Sequence, residues 1–122
     1  MTDRNLQRHW RKAVLTVHKN KCIICRRRRD PSDLECHHII KRRRLFLRHD
    51  WKNGVPVCVE CHGKAHTLYG SGIIASRHKW MDYLMDNENV NIKDYLVAHG
   101  MTRDEFLQME LDELKKIIAD NS

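Results

Sequence analysis

The sequence predicts an α+β fold: two short strands and a helix, stapled by four cysteines, with a helix in front and a helical extension behind. Three observations carry this. Two Cys-x-x-Cys pairs, Cys22/Cys25 and Cys58/Cys61, flank the two stretches that read as strands. Apolar residues recur at helical spacing on either side of that region. At 122 residues and 41% apolar content the chain can bury one modest core, and a core of that size often needs a staple.

Taken in order, Leu6, Trp10, Ala13, Val14 and Val17 mark an amphipathic helix over residues 4–18. "KNKCIIC" reads as a tight turn, and "RRRRDPSD" as an exposed loop turned at Asp30-Pro31. "LECHHII" is partly β-branched and reads as a strand. "KRRRLFLRHDWKNG" is a long basic connection, and its Asn53-Gly54 pair is a strong turn signal. "VPVCVECHGKAHTLYG" opens as a strand and turns into a helix near the cysteines. Residues 73–86 are expected to be helical, as are 92–99, with Asn91 as cap and Gly100 as stop. A last helix is expected over 103–119. Thr102 and Glu105 form a capping box there, and Leu107, Leu111, Leu114 and Ile118 mark the buried face. Two units follow: a basic part over 1–70 and an acidic, helical part over 71–122.

Charge separates these parts. Residues 1–70 hold 17 Lys/Arg against 6 Asp/Glu, while residues 71–122 hold 6 against 10, which together give the net +7. A basic first half is the footprint of a polyanion-binding face. The N-terminus "MTDRNLQRHWRK" has no apolar run, so neither a signal peptide nor a membrane span is expected. Five cysteines without an export signal point to metal binding in a reducing compartment, not to a disulfide scaffold.

Two matched thiolate pairs complete a closed tetrahedral site, and Cys22, Cys25, Cys58 and Cys61 are therefore expected to hold a structural Zn2+. Cys36 lies outside both pairs and is expected to be a small buried apolar residue. His62 and His66 stand four apart, so on a helix both imidazoles reach one ion, and His37 or His38 can supply a third ligand. His9, His18, His49, His78 and His99 show no partner pattern, with His49 the nearest of them to the site. Trp51 and Trp80 are expected to pack, not to stack on bases.

"CHHI", then "WKNG", then "CHGKAH", between the two CxxC pairs, resembles the HNH endonuclease family. The resemblance covers roughly residues 20–68 and implies a ββα-metal core. It also resembles the colicin DNase branch in its His-x-x-x-His ending, and the zinc-stapled bacterial and phage branch in its cysteine pairs. By that resemblance His38 is the general base and His37, His62 and His66 hold one divalent catalytic ion. Asn53 keeps the long loop in place so that His38 stays aimed. The ion could be Mn2+, Ni2+, Co2+, Zn2+ or Mg2+. An all-imidazole set favours the transition ions over hard magnesium.

The implied activity is hydrolysis of DNA phosphodiester bonds to a 5′-phosphate and a 3′-hydroxyl. One site nicks, and a dimer would cut both strands. The runs Arg26, Arg27, Arg28, Arg29 and Lys41, Arg42, Arg43, Arg44 are expected to neutralise phosphates of double-stranded DNA with little sequence preference. Arg42 and Arg43 are equally eligible for the scissile phosphate. The expected setting is cytoplasmic, bacterial or phage-encoded, with a homodimer or a protein partner on the C-terminal helices left open. A zinc-stapled nucleic-acid-binding module without catalysis fits the cysteines and the charge equally well. The paired histidines separate the two readings, because a purely structural module does not need them.

Overall fold

The computed structural model describes residues 2–64 and 70–122. It contains α1 (Asp3–Val17), β1 (Leu34–His38), β2 (Gly54–Cys58), α2 (Val59–Lys64), α3 (Gly70–Arg77), α4 (Met81–Asn87), α5 (Ile92–Ala98) and α6 (Arg103–Asp120). Short 3-10 turns at Pro31–Asp33 and Trp51–Asn53 lead into the two strands. β1 and β2 pair antiparallel, from Leu34 opposite Cys58 to His38 opposite Gly54. The fold is thus α+β, with strand, strand and helix in succession at its centre.

α1 starts where Thr2 accepts a hydrogen bond from Asn5 N–H, and it ends in left-handed Lys19 and Asn20. These two reverse the chain into the first cysteine pair. The predicted apolar stripe is the buried one: Leu6, Trp10, Ala13 and Val14 are fully enclosed, with Leu111 and Leu114 of α6 packed on them. At about 1.5–3 kcal/mol for each large apolar side chain buried, this α1–α6 contact is a main source of stability. A second cluster gathers Leu15, Ile24, Leu34, Val55, Val57 and Ile74 around the cysteines. A third sets Leu84 of α4 against Ile40 and Leu47 in the loop between the strands.

The expected terminal helices are present, including Asn91 capping Lys93 and Asp94 N–H and the reciprocal Thr102–Glu105 capping box. Two expectations are corrected. The single helix expected over 73–86 is two, α3 and α4, broken at 78–80. Buried His78 donates from Nε2 to the Lys52 carbonyl at 2.7 Å, and Trp80 packs edge-on against Trp51, with ring centroids 4.8 Å apart. These contacts with distant residues hold the chain out of helical continuity. The Asn53-Gly54 pair is not a hairpin turn either, because Gly54 begins β2 in ordinary extended geometry. A Cβ on Gly54 would lie 2.5 Å from Trp10 Cζ2 and 2.6 Å from Val14 Cγ2. Glycine is needed there because α1 presses onto the sheet.

Candidate active site and zinc site

The thiol groups of Cys22, Cys25, Cys58 and Cys61 converge, with all four sulfurs within 4.8 Å of one another. Cys25 Sγ and Cys58 Sγ are 3.9 Å apart. A tetrahedral zinc with bonds of about 2.3 Å sets its sulfurs about 3.8 Å apart, so the cluster fits that ion. The first pair is shaped by a tight turn in which Arg26 N–H donates to Cys22 O at 2.8 Å and Arg26 itself is left-handed. The second pair joins the end of β2 to the first turn of α2. Burial pushes the Cys22 thiol up, but backbone N–H groups of Cys58, Cys25 and Ile24 outweigh it and bring it down to about 7. Burial raises the Cys25 thiol and takes that of Cys61 up to about 12, so of these three Cys22 ionises first. The Arg77 guanidinium of α3 donates to the Ile23 carbonyl at 3.1 Å and also to that of Ile24, which clamps the turn from outside.

This staple fixes the start of α2 and therefore His62. His62 faces β1, its ring centroid 6.3 Å from that of His37 and its Nδ1 3.1 Å from Glu35 Oε2. Glu35 and His37 share one strand face because side chains alternate. Sequence reading passed over Glu35, although its place two residues before His37 was the available signal. A carboxylate at Nδ1 holds the ring proton there, which puts the lone pair on Nε2. His66 lies outside the described residues.

His38 turns to the opposite face, where β1 ends. Its ring stacks on Trp10 of α1, with centroids 4.0 Å apart and planes 5° from parallel. Its Nε2 lies 3.0 Å from the Arg48 carbonyl. A carbonyl only accepts, so Nε2 carries the proton and Nδ1 keeps the lone pair. Burial, reinforced by the nearby Arg42, His37 and Arg48, lowers the His38 pKa against the pull of that hydrogen bond. The ring is therefore neutral near pH 7.

Asn53 is fully buried beneath the loop. Its Oδ1 accepts from Ile40 N–H at 2.7 Å, and its Nδ2 donates to the carbonyls of Ile40 at 3.1 Å and Leu47 at 3.0 Å. These bonds tie both ends of the stretch after His38 to the start of β2. Arg48, whose carbonyl holds His38, comes directly after Leu47.

Of the basic runs, Arg26, Arg27, Arg28, Lys41, Arg42, Arg43 and Arg44 are exposed. Arg29 is half-buried and faces Glu60 at 3.7 Å. Arg42 pairs with Asp3 at 2.8 Å. Cys36 lies between the α1 and cysteine clusters, and burial pushes its thiol up to about 12, so it packs as an inert small residue. His49, by contrast, is buried at the junction of loop, α1 and α6. Its Nε2 lies 3.1 Å from Asp3 Oδ1 and its Nδ1 4.0 Å from Glu110 Oε1.

The family model of the HNH endonucleases matches residues 22–68, beginning at Cys22. The match covers a little over a third of the chain and supports a nuclease-type family for that segment. Neither curated proteins nor solved structures gave a match to the chain. Among the described residues, no helix is long and apolar enough to cross a membrane.

Proposed function

We propose that the chain is a metal-dependent HNH endonuclease that hydrolyses DNA phosphodiester bonds to a 5′-phosphate and a 3′-hydroxyl. The observation that carries the reading is the end of β1. His37 is set beside His62 there, and His38 is held as a neutral ring whose Nδ1 keeps its lone pair. In this reading His38 Nδ1 takes a proton from water as the water oxygen bonds to phosphorus, and the bond to the 3′ oxygen breaks. Glu35 orients His62, Trp10 backs the His38 ring, and Asn53 keeps the Arg48 carbonyl under Nε2. A divalent ion on His37, His62 and His66 would supply positive charge where the phosphate and leaving oxygen become more negative. Residues 1–70 carry the chemistry and 71–122 brace it, in a cytoplasmic bacterial or phage setting.

The test is cleavage of supercoiled plasmid with manganese or nickel, zinc being retained on the cysteines. Wild type converts the plasmid to the nicked form, and to linear product if two copies act together. His38→Ala loses at least about a hundredfold in rate, as expected for a general base, while keeping its fold and its DNA affinity. Because burial lowers the His38 pKa, the acid limb of the wild-type rate falls below pH 6.5. If neither protein cuts with any divalent ion, yet both bind DNA, the chain is a zinc-stapled binding module and this reading fails.

A further inference from the structure

We propose that the groove between α1 and the edge of β1 is the track for one strand of the duplex, with Arg4 and Arg8 contacting its phosphates. The proposal rests on the nuclease reading and states where its substrate lies. Arg4, Arg8, Arg11 and Arg42 line this groove, together with Asp3, Glu35 and the β1 edge. Four guanidinium groups against two carboxylates leave it net positive.

Arg4, Arg8 and Arg11 recur at i, i+4 and i+7 and so share one face of α1. They span about 10 Å of helix, long enough to follow a phosphate chain past more than one phosphate. Their availability differs. Arg11 donates to the Pro31 and Leu34 carbonyls, which fixes α1 against the strand, and Arg42 is held on the wall by Asp3. Arg4 and Arg8 are exposed, and Arg8 contacts Asn5 of its own helix at 2.8 Å.

The groove also meets the chemistry. Glu35 in its wall is the residue whose carboxylate reaches His62, and Trp10 behind it carries the His38 ring. A phosphate chain laid along α1 therefore runs beside one residue that touches each half of the site. Neither the Arg26–Arg29 run nor Arg43 lines this groove. α1 precedes the residues matched by the family model, so the groove joins a helix outside that segment to β1 and Arg42 within it.

The experiment measures binding of a short DNA duplex by fluorescence anisotropy over a salt series, without chelator, in a His38→Ala background, with the DNA checked intact on a gel. Arg4→Ala combined with Arg8→Ala is expected to flatten the slope of log K against log salt by about 1.8, at about 0.9 per phosphate lost. Lys115→Ala combined with Lys116→Ala, on the exposed face of α6, is expected to leave the slope unchanged. Circular dichroism confirms that both variants fold. A wild-type slope in the arginine variant overturns the groove while the nuclease reading stands, as does an equal loss in the lysine control. A parent protein with no affinity for DNA at any salt overturns both.

Discussion

Single side chains at this site owe their protonation to burial. His49 is 4% exposed, and desolvation with Arg48 nearby takes its pKa down to about 4 against the pull of Asp3. Glu110, at 8% exposed, is pushed up to about 8 by burial and by Asp50 and Glu113. The two act in opposite directions. The His49 contribution is complete above pH 6.5 and is lost as pH falls toward 4. The Glu110 contribution is complete below about pH 4.5 and is lost as pH rises through 8. Glu110→Gln keeps the shape without the ionisation, so it should gain on the order of 5 kcal/mol relative to wild type at pH 9 and under about 1 kcal/mol at pH 5. Thermal melts of both proteins across that range check this. An equal difference at both ends would mean that Glu110 is already ionised in the fold.

At the scale of elements, the loop between the strands depends on Asn53. Asn53→Ala leaves Ile40 N–H and the carbonyls of Ile40 and Leu47 without their partner, at a cost of about 2–4 kcal/mol. It should also lower the cleavage rate, because Arg48 would no longer hold the His38 ring. Asn53→Asp keeps the acceptor for Ile40 N–H but loses both donations, so its melting temperature should fall as well. Denaturant unfolding and plasmid nicking, read side by side, test the link. If stability fell while the rate stayed at wild type, Asn53 would have no bearing on His38. The elements were also the most legible part of the sequence. Helix periods, caps and the capping box depend on neighbours three or four residues away, and they appear where expected. The break at 78–80 depends on Lys52 and Trp51, far away in the chain, and no local pattern encodes it. Gly54 shows the same limit: its need for hydrogen at Cα comes from Trp10 and Val14, which a dipeptide rule cannot see.

For the molecule as a whole, the cysteine cluster is the keystone of the core around the strands. Cys22, Cys58 and Cys61 are themselves members of the cluster formed by Leu34, Val55 and Val57. Removing zinc with a strong chelator should therefore lower the melting temperature sharply and dissolve the strand pairing, while α1 and α6 retain helical signal. Far-UV circular dichroism with amide exchange on β1 and β2 reads both. Unchanged protection of the strands would show that the metal is dispensable for the fold. The convergence of the four cysteines was legible because their spacing is local and repeated. Glu35 and Trp10 were not singled out for the site, because their roles appear only when β1, α2 and α1 come together around the histidines.

The packing of α6 on α1 also bears on how the protein is made. Residues 103–120 leave the ribosome after the segment that the family model matches, yet they cover Leu6, Trp10, Ala13 and Val14, which emerge before it. A nascent chain therefore carries an uncovered apolar helix until α6 arrives, and Trp10 of that helix is the support for His38. Maturation of the site is thereby deferred until synthesis reaches α6, and a chain broken off before Arg103 exposes a sticky surface that quality control can recognise.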